Sequence, residues 1–136
     1  MKRIFLDSDI LLDALLKRQH FLLPAMNVLA LADKKSSFQL MTSAVAFVNV
    51  HYFLDKFDRP NKYQLLNFLR PNISILNVDE KIIDLALRKG SNDFEDSVQY
   101  FTALNAGANA IITRNKKDYI QSEIPILTAE EFLKTL

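Results

Sequence analysis

The stretch Ile4-Phe5-Leu6-Asp7-Ser8-Asp9-Ile10-Leu11-Leu12-Asp13 (IFLDSDILLD) is apolar, breaks into two aspartates one residue apart, and turns apolar again. Lys2–Leu6 is rich in β-forming side chains and reads as a strand, while Ile10, Leu11, Ala14 and Leu15 recur at helical spacing behind Asp9. A strand followed within two residues by a helix, with Asp9 as the N-cap, is the expected local structure. Asp7 is a separate problem, because a carboxylate directly after a buried strand has to find a partner. A pair of carboxylates there can hold a metal, attack a phosphate or cap a helix, and each reading needs different companions later in the chain.

Working outward, residues 22–33 form a second amphipathic helix and 38–41 a second strand. Thr42 or Ser43 then caps a long apolar helix reaching about Asp55. Asp58-Arg59-Pro60 breaks the chain before a helix over 61–69, and 73–76 is a third strand. Asp79 starts a helix that stops at Gly90, and Asp93 begins another that stops at Gly107. Ala110–Ile112 and 124–127 complete five strands, and Thr128-Ala129-Glu130-Glu131 is a capping box for a terminal helix. Short strands alternating with helices predict parallel βαβ units, hence an α/β fold: a three-layer α/β/α sandwich around a five-stranded parallel sheet. Ligands of such sheets bind beyond the carboxyl ends of the strands. Asp7, Thr42, Ser43 and Thr113 to Asn115 all fall on that rim. The helix starting at Asp93 must run back from the rim to feed the next strand, so Asp93, Glu95 and Asp96 belong there too, provided the helix before it crosses the rim.

The bulk properties restrict function less. A chain of 136 residues with 49% hydrophobic side chains fits one domain, 1–136. It has no cysteine, which removes disulfides and thiolate zinc sites, and neither a signal-peptide core nor a membrane-length apolar run is visible. A cytoplasmic protein without membrane attachment is expected. The net charge of +1 gives no global footprint for nucleic acid, although such a total can conceal a local basic rim. With only Gly90 and Gly107 in the chain, there is no dinucleotide fingerprint, phosphate loop or serine-hydrolase elbow.

The acidic segment Asn92-Asp93-Phe94-Glu95-Asp96 has two readings. Asn92 with Glu95 makes a capping box, and first-turn acids suit the helix dipole. Alternatively, Asp93 and Asp96, three apart, face the same way toward Tyr100 and converge on one cation. Asn49, among Val45, Ala46, Tyr52 and Phe53, reads as an amide that must be satisfied on an apolar face. His20 and His51 have no ligand-like spacing. The Asp-x-Asp pair is similar to the loop of haloacid-dehalogenase-like phosphatases, but Leu11 stands where those enzymes carry threonine or valine, and the chain is short for a cap domain.

Four segments together carry a more specific resemblance: Ile4 to Asp13, Thr42-Ser43-Ala44 opening a helix, Asp93-Phe94-Glu95-Asp96-Ser97-Val98-Gln99, and Ile111-Ile112-Thr113-Arg114-Asn115-Lys116-Lys117-Asp118-Tyr119. In their order and over essentially the whole chain, these resemble a PIN domain of the kind found in VapC-type toxins. The resemblance implies an endoribonuclease that uses Mg²⁺ or Mn²⁺ held by three or four acids, with RNA as substrate and an antitoxin protein as partner. By motif position Asp7 is the first acid and Asp96 the third, with Asp93 close by as a further ligand.

The family's second acid, usually a glutamate, falls on Asn49. Its fourth, usually an aspartate after Thr-Arg, falls on Asn115, with Asp118 three residues later. Asp9 stands where asparagine is common. Ser8, Asp9, Asn49, Glu95 and Thr113 are expected beside the ligands, and Arg114, Lys116 and Lys117 near the RNA backbone. Two amides in place of acids remove two negative charges from a site for a hard cation. That exchange predicts weakened or Mn²⁺-selective binding, with Asp93, Glu95 or Asp118 restoring charge. It also keeps open a second reading, a weakened PIN module that binds RNA or a protein partner without cutting. The apolar helix beginning at Ala44 offers a face for a homodimer.

Overall fold

The computed structural model describes residues 1–119 and 122–136. Five strands, β1 (Lys2–Leu6), β2 (Phe38–Ser43), β3 (Ser74–Leu76), β4 (Ala110–Ile112) and β5 (Ile126–Leu127), form one sheet in the order β3-β2-β1-β4-β5. Every pairing is parallel, and β1 at the centre pairs Ile4 with Leu40 on one side and Ala110 on the other. Central parallel strands are buried on both faces, which is why Ile4, Phe5 and Leu6 form an uninterrupted apolar run.

Side-chain alternation sorts the helices into two layers. Ile4, Leu6, Ala110 and Ile112 pack into a cluster with α1 (Ser8–Leu15), α2 (Leu22–Leu29), α3 (Ala44–Phe57), α4 (Lys62–Leu69) and α7 (Ala129–Lys134). Phe5 and Ile111 face the other way, onto Tyr100 and Ala103 of α6 (Phe94–Asn105). Beside them Val98 of α6 packs on Ile82 and Ala86 of α5 (Glu80–Lys89). The expected three-layer α/β/α arrangement is therefore present. Among the described residues no helix is long and apolar enough to cross a membrane.

Local signals mostly act as expected. The Asp79 carboxylate caps α5, Gly90 ends it at φ 61°, and Thr128 with Glu131 forms the reciprocal capping box of α7. Several boundaries differ for identifiable reasons. β2 continues through Thr42 and Ser43, because they pair with Ile75 and Leu76 of β3; the Thr42 hydroxyl donates to the Leu6 carbonyl (2.8 Å), and Ser43 alone caps α3. The second helix leaves α geometry after Leu29 and finishes as a 3₁₀ turn over Ala30–Asp33. β5 starts at Ile126 rather than 124. Pro125 has no N–H for the ladder, and the Ile124 amide is held by the Ser122 hydroxyl (3.0 Å). The N-cap of α1 is Asp7, not Asp9, and that of α6 is Asp93, not Asn92.

The chain runs from β1 through β2 to β3 in one direction, then returns to lay β4 and β5 on the opposite side of β1. The carboxyl ends of β1 and β4 thus border the crevice where the strand order reverses. α6 runs from that rim to the foot of the sheet. Its far end is tied there by Arg3, whose guanidinium donates to the Ala106 carbonyl (3.0 Å). The α5 to α6 link lies at its near end, where Ser91 and Ser97 share a hydrogen bond (2.6 Å), so the residues entering α6 do return to the rim.

Candidate active site

Asp7 leaves β1 in extended geometry, and its backbone N–H donates to the Ile112 carbonyl (3.0 Å), which fixes the residue at the β1/β4 crevice. Only 5% exposed, its carboxylate is satisfied by three donors: the Ser8 amide on Oδ1 (2.8 Å), and the Thr113 hydroxyl (3.0 Å) and Tyr119 hydroxyl (2.8 Å) on Oδ2. Burial pushes its pKa up, these hydrogen bonds oppose the rise, and the nearby charge of Asp93 adds to it. Asp9, in the first turn of α1 rather than at its cap, turns toward the exit of β4. There its Oδ2 accepts from the Arg114 amide (3.1 Å) and the Thr113 hydroxyl (3.3 Å), while its buried Oδ1 has no partner among the described residues. Burial, and then the charge of Asp7, raise Asp9 to about 7.

The second group of acids comes from α6 and the turn after β4. The Asp93 carboxylate caps α6 by accepting from the Asp96 amide (3.0 Å). Asp93, Asp96 and Asp118 each place a carboxylate oxygen within 4.8 Å of the others. Asp96 is half-buried and its pKa is raised to about 8, first by burial and then by the charges of Asp7, Asp93 and Asp118. Carboxylates from β1, α6 and the β4 turn are thus brought into mutual electrostatic reach. No lysine or arginine forms an ion pair with Asp7, Asp9, Asp93, Asp96 or Asp118 among the described residues. All-oxygen donors, crowded negative charge and the orphaned Asp9 oxygen make a set that fits a hard divalent cation.

Other expected residues are placed differently. Asn49 is not a core amide. It is partly exposed on α3, and its side-chain N–H₂ donates to Glu95 Oε1 (2.5 Å), bringing a carboxylate to the position where the amide replaced one. Burial raises the Glu95 pKa, against the effect of that bond. Tyr100 is buried, and its hydroxyl accepts from the Glu123 amide (3.0 Å). Asn115 is exposed, and its backbone amide donates to the Thr113 hydroxyl (3.1 Å). Asp118 thus sits among the acids, three residues beyond the position where the motif would place one.

The basic residues also divide. Arg114 forms a bidentate pair with Asp13 (2.8 and 2.9 Å), a carboxylate only 1% exposed, and its guanidinium lies 4.1 Å from the centre of the Phe21 ring. That side chain is committed to holding the β4 turn on α1. Lys116 pairs with Glu131 of α7 (2.9 Å), whereas Lys117 is exposed and has no salt bridge among the described residues. Tyr119 and Asp13 were not singled out by sequence reasoning. Their partners lie 112 and 101 residues away, and the only local sign was an aromatic directly after Asp118.

A family model for the PIN domain matches residues 3–117. Ribonuclease VapC1 of Aquifex aeolicus is 30% identical over 96% of this chain and 93% of its own length. VapBC-1 from nontypeable Haemophilus influenzae superposes with a TM-score of 0.70 at 14% identity, over 94% of this chain and 98% of that one. A toxin–antitoxin complex from Klebsiella pneumoniae gives 0.69 at 21% identity, over 93% and 97%. The match spans the strand that leads into Asp7, the helix that carries Asp96 and the start of the turn after β4, and the chain belongs to the PIN domain family.

Proposed function

We propose that this protein is a metal-dependent endoribonuclease and the toxin member of a toxin–antitoxin pair. The observation that carries the reading is the cluster of Asp93, Asp96 and Asp118, whose carboxylate oxygens lie within 4.8 Å of one another, with the charge of Asp7 at the end of β1 felt by Asp96. The 30% identity to a ribonuclease supports the reaction, and the likeness to a toxin–antitoxin complex supports an antitoxin partner. Asp7, Asp93, Asp96 and Asp118 would hold Mg²⁺ or Mn²⁺, which when bound supplies Lewis acidity and a more acidic water. The protein's own part is to fix the Asp7 carboxylate through Ser8, Thr113 and Tyr119. It also keeps acids close whose mutual repulsion a bound cation relieves, and supplies a cation for the RNA backbone at Lys117. Asn115, at the mouth of the same turn, is placed to contact substrate.

Self-association belongs to this reading as well. Val48, Tyr52 and Phe57 of α3 and Tyr63 of α4 are each 60% or more exposed. The test of the activity is a calorimetric Mn²⁺ titration of wild type beside Asp96→Asn, followed by cleavage of a single-stranded RNA pool. Saturable binding and cleavage, both lost in Asp96→Asn, are expected. Binding of RNA without cleavage would replace the nuclease with the weakened module that Asn49 and Asn115 suggest.

A further inference from the structure

The Asp7 carboxylate has about four lone-pair directions, two on each oxygen. Oδ1 gives one to the Ser8 amide (2.8 Å). Oδ2 gives both of its directions to hydroxyls, Tyr119 at 2.8 Å and Thr113 at 3.0 Å. The two donors are not equivalent. Thr113 has a single proton and Asp9 Oδ2 lies 3.3 Å away as a second acceptor, so that proton is shared. Tyr119 is 4% exposed, and Asp7 is the acceptor of its hydroxyl among the described residues. Tyr119 is therefore the committed donor that keeps Oδ2 occupied.

Coordination chemistry gives this arrangement a consequence. Ca²⁺ takes six to eight oxygens and readily uses both oxygens of one carboxylate, whereas smaller octahedral cations accept one oxygen per carboxylate at short distance. A carboxylate with Oδ2 already filled can offer only Oδ1. We propose that Tyr119 is a positioning residue that restricts Asp7 to one ligating oxygen and so makes the site select Mg²⁺-sized or Mn²⁺-sized ions over Ca²⁺. The inference rests on the metal-dependent reading above. It assigns Tyr119 a role in ion choice that goes beyond packing.

The test is calorimetric titration of the full chain with Mn²⁺ alone and with Ca²⁺ alone, for wild type and Tyr119→Phe. Wild type is expected to bind Mn²⁺ at least about tenfold more tightly than Ca²⁺. Loss of a hydrogen bond to a metal ligand commonly changes affinity about 10- to 100-fold. In Tyr119→Phe the Mn²⁺ to Ca²⁺ ratio is expected to narrow by about tenfold, because Oδ2 becomes available to the larger ion. A merely structural tyrosine would weaken both ions in parallel, so a parallel loss, or no change, overturns the proposal. Equal wild-type affinities for the two ions overturn it while leaving the nuclease reading standing. A wild type that binds neither ion removes both. Should near-UV circular dichroism show Tyr119→Phe unfolded, Thr113→Val, which leaves Tyr119 on the same oxygen, is expected to keep the wild-type ratio, and a narrowed ratio there overturns the assignment to Tyr119.

Discussion

Asp96 shows most directly how burial, and then crowding by like charges, write themselves into a single residue. Its pKa is raised to about 8, so in the metal-free protein near neutral pH the folded state binds a proton that the unfolded chain releases near its ordinary value of 3.8. With more protons bound in the folded than in the unfolded state, stability falls as pH rises from about 4 toward 8, and levels off above the folded pKa. Asp96→Asn removes that loss. The metal-free variant is expected to be more stable than wild type at pH 8 by about 1 to 2 kcal/mol, after allowance for screening at a half-buried group, and no more stable at pH 4. Thermal melts in the presence of chelator measure the difference. Equal melting temperatures at pH 8 would mean that the Asp96 carboxyl is not held above its ordinary range by burial and neighbouring charge. The spacing of Asp93 and Asp96 already announced their convergence. The role of Tyr119 was hidden, because nothing in the neighbourhood of residue 119 reveals that its hydroxyl meets a residue of β1.

Among the elements, the turn after β4 does the most organising. Its backbone amides at Arg114 and Asn115 bind Asp9 and Thr113, and its Arg114 side chain clamps the buried Asp13 of α1. Removing one partner of a buried ion pair strands the other charge, at a cost of about 3 to 5 kcal/mol when both are fully buried. Arg114 keeps about a third of its side chain exposed, and Arg18 stays 3.5 Å from Asp13 as a second, weaker partner, so Arg114→Ala is expected to cost about 1 to 2 kcal/mol in urea unfolding. Lys at this position should recover only part of the loss, because an ammonium cannot reproduce the forked contact. A variant as stable as wild type would return Arg114 to the pool of residues available for RNA. At this scale the capping signals of α5 and α7 are legible in the sequence, whereas α1 is capped two residues earlier than expected and α6 by Asp93 rather than by an Asn92 capping box. The reason is physical: several short acids stood in line at each helix start, and tertiary contacts chose which carboxylate turned back to the helix and which turned to the crevice.

For the molecule as a whole, the exposed aromatic surface around Tyr52 and Tyr63 bears on assembly. Its side chains are excluded from the core that Ala46, Val50 and Leu54 enter from the other side of α3. Sedimentation of the wild type is expected at the mass of two chains, and Tyr52→Asp, which places a charge in the middle of the patch, is expected to sediment as one. A wild type that sediments as a single chain at micromolar concentration would remove self-association from the functional reading. The same scale explains how the sheet assembles its site. Because β1 sits between β2 and β4, its carboxyl end receives α3 from one side and the β4 turn from the other, while α6 enters across the rim.

The sequence by itself determined the alternation of strands and helices, the parallel three-layer architecture, and the placement of Asp7, Asp93 and Asp96 on one rim. Those follow from periodicity, capping and the rule that ligands meet parallel strands at their carboxyl ends. Only the tertiary structure decided that Asp118 joins the acids, that Asn49 carries Glu95, that Arg114 is held by Asp13, and that Tyr119 fills one oxygen of Asp7. Each of those pairs residues far apart in the chain or turns on the choice among neighbouring carboxylates. Such choices are settled by which buried polar group would otherwise be left without a partner.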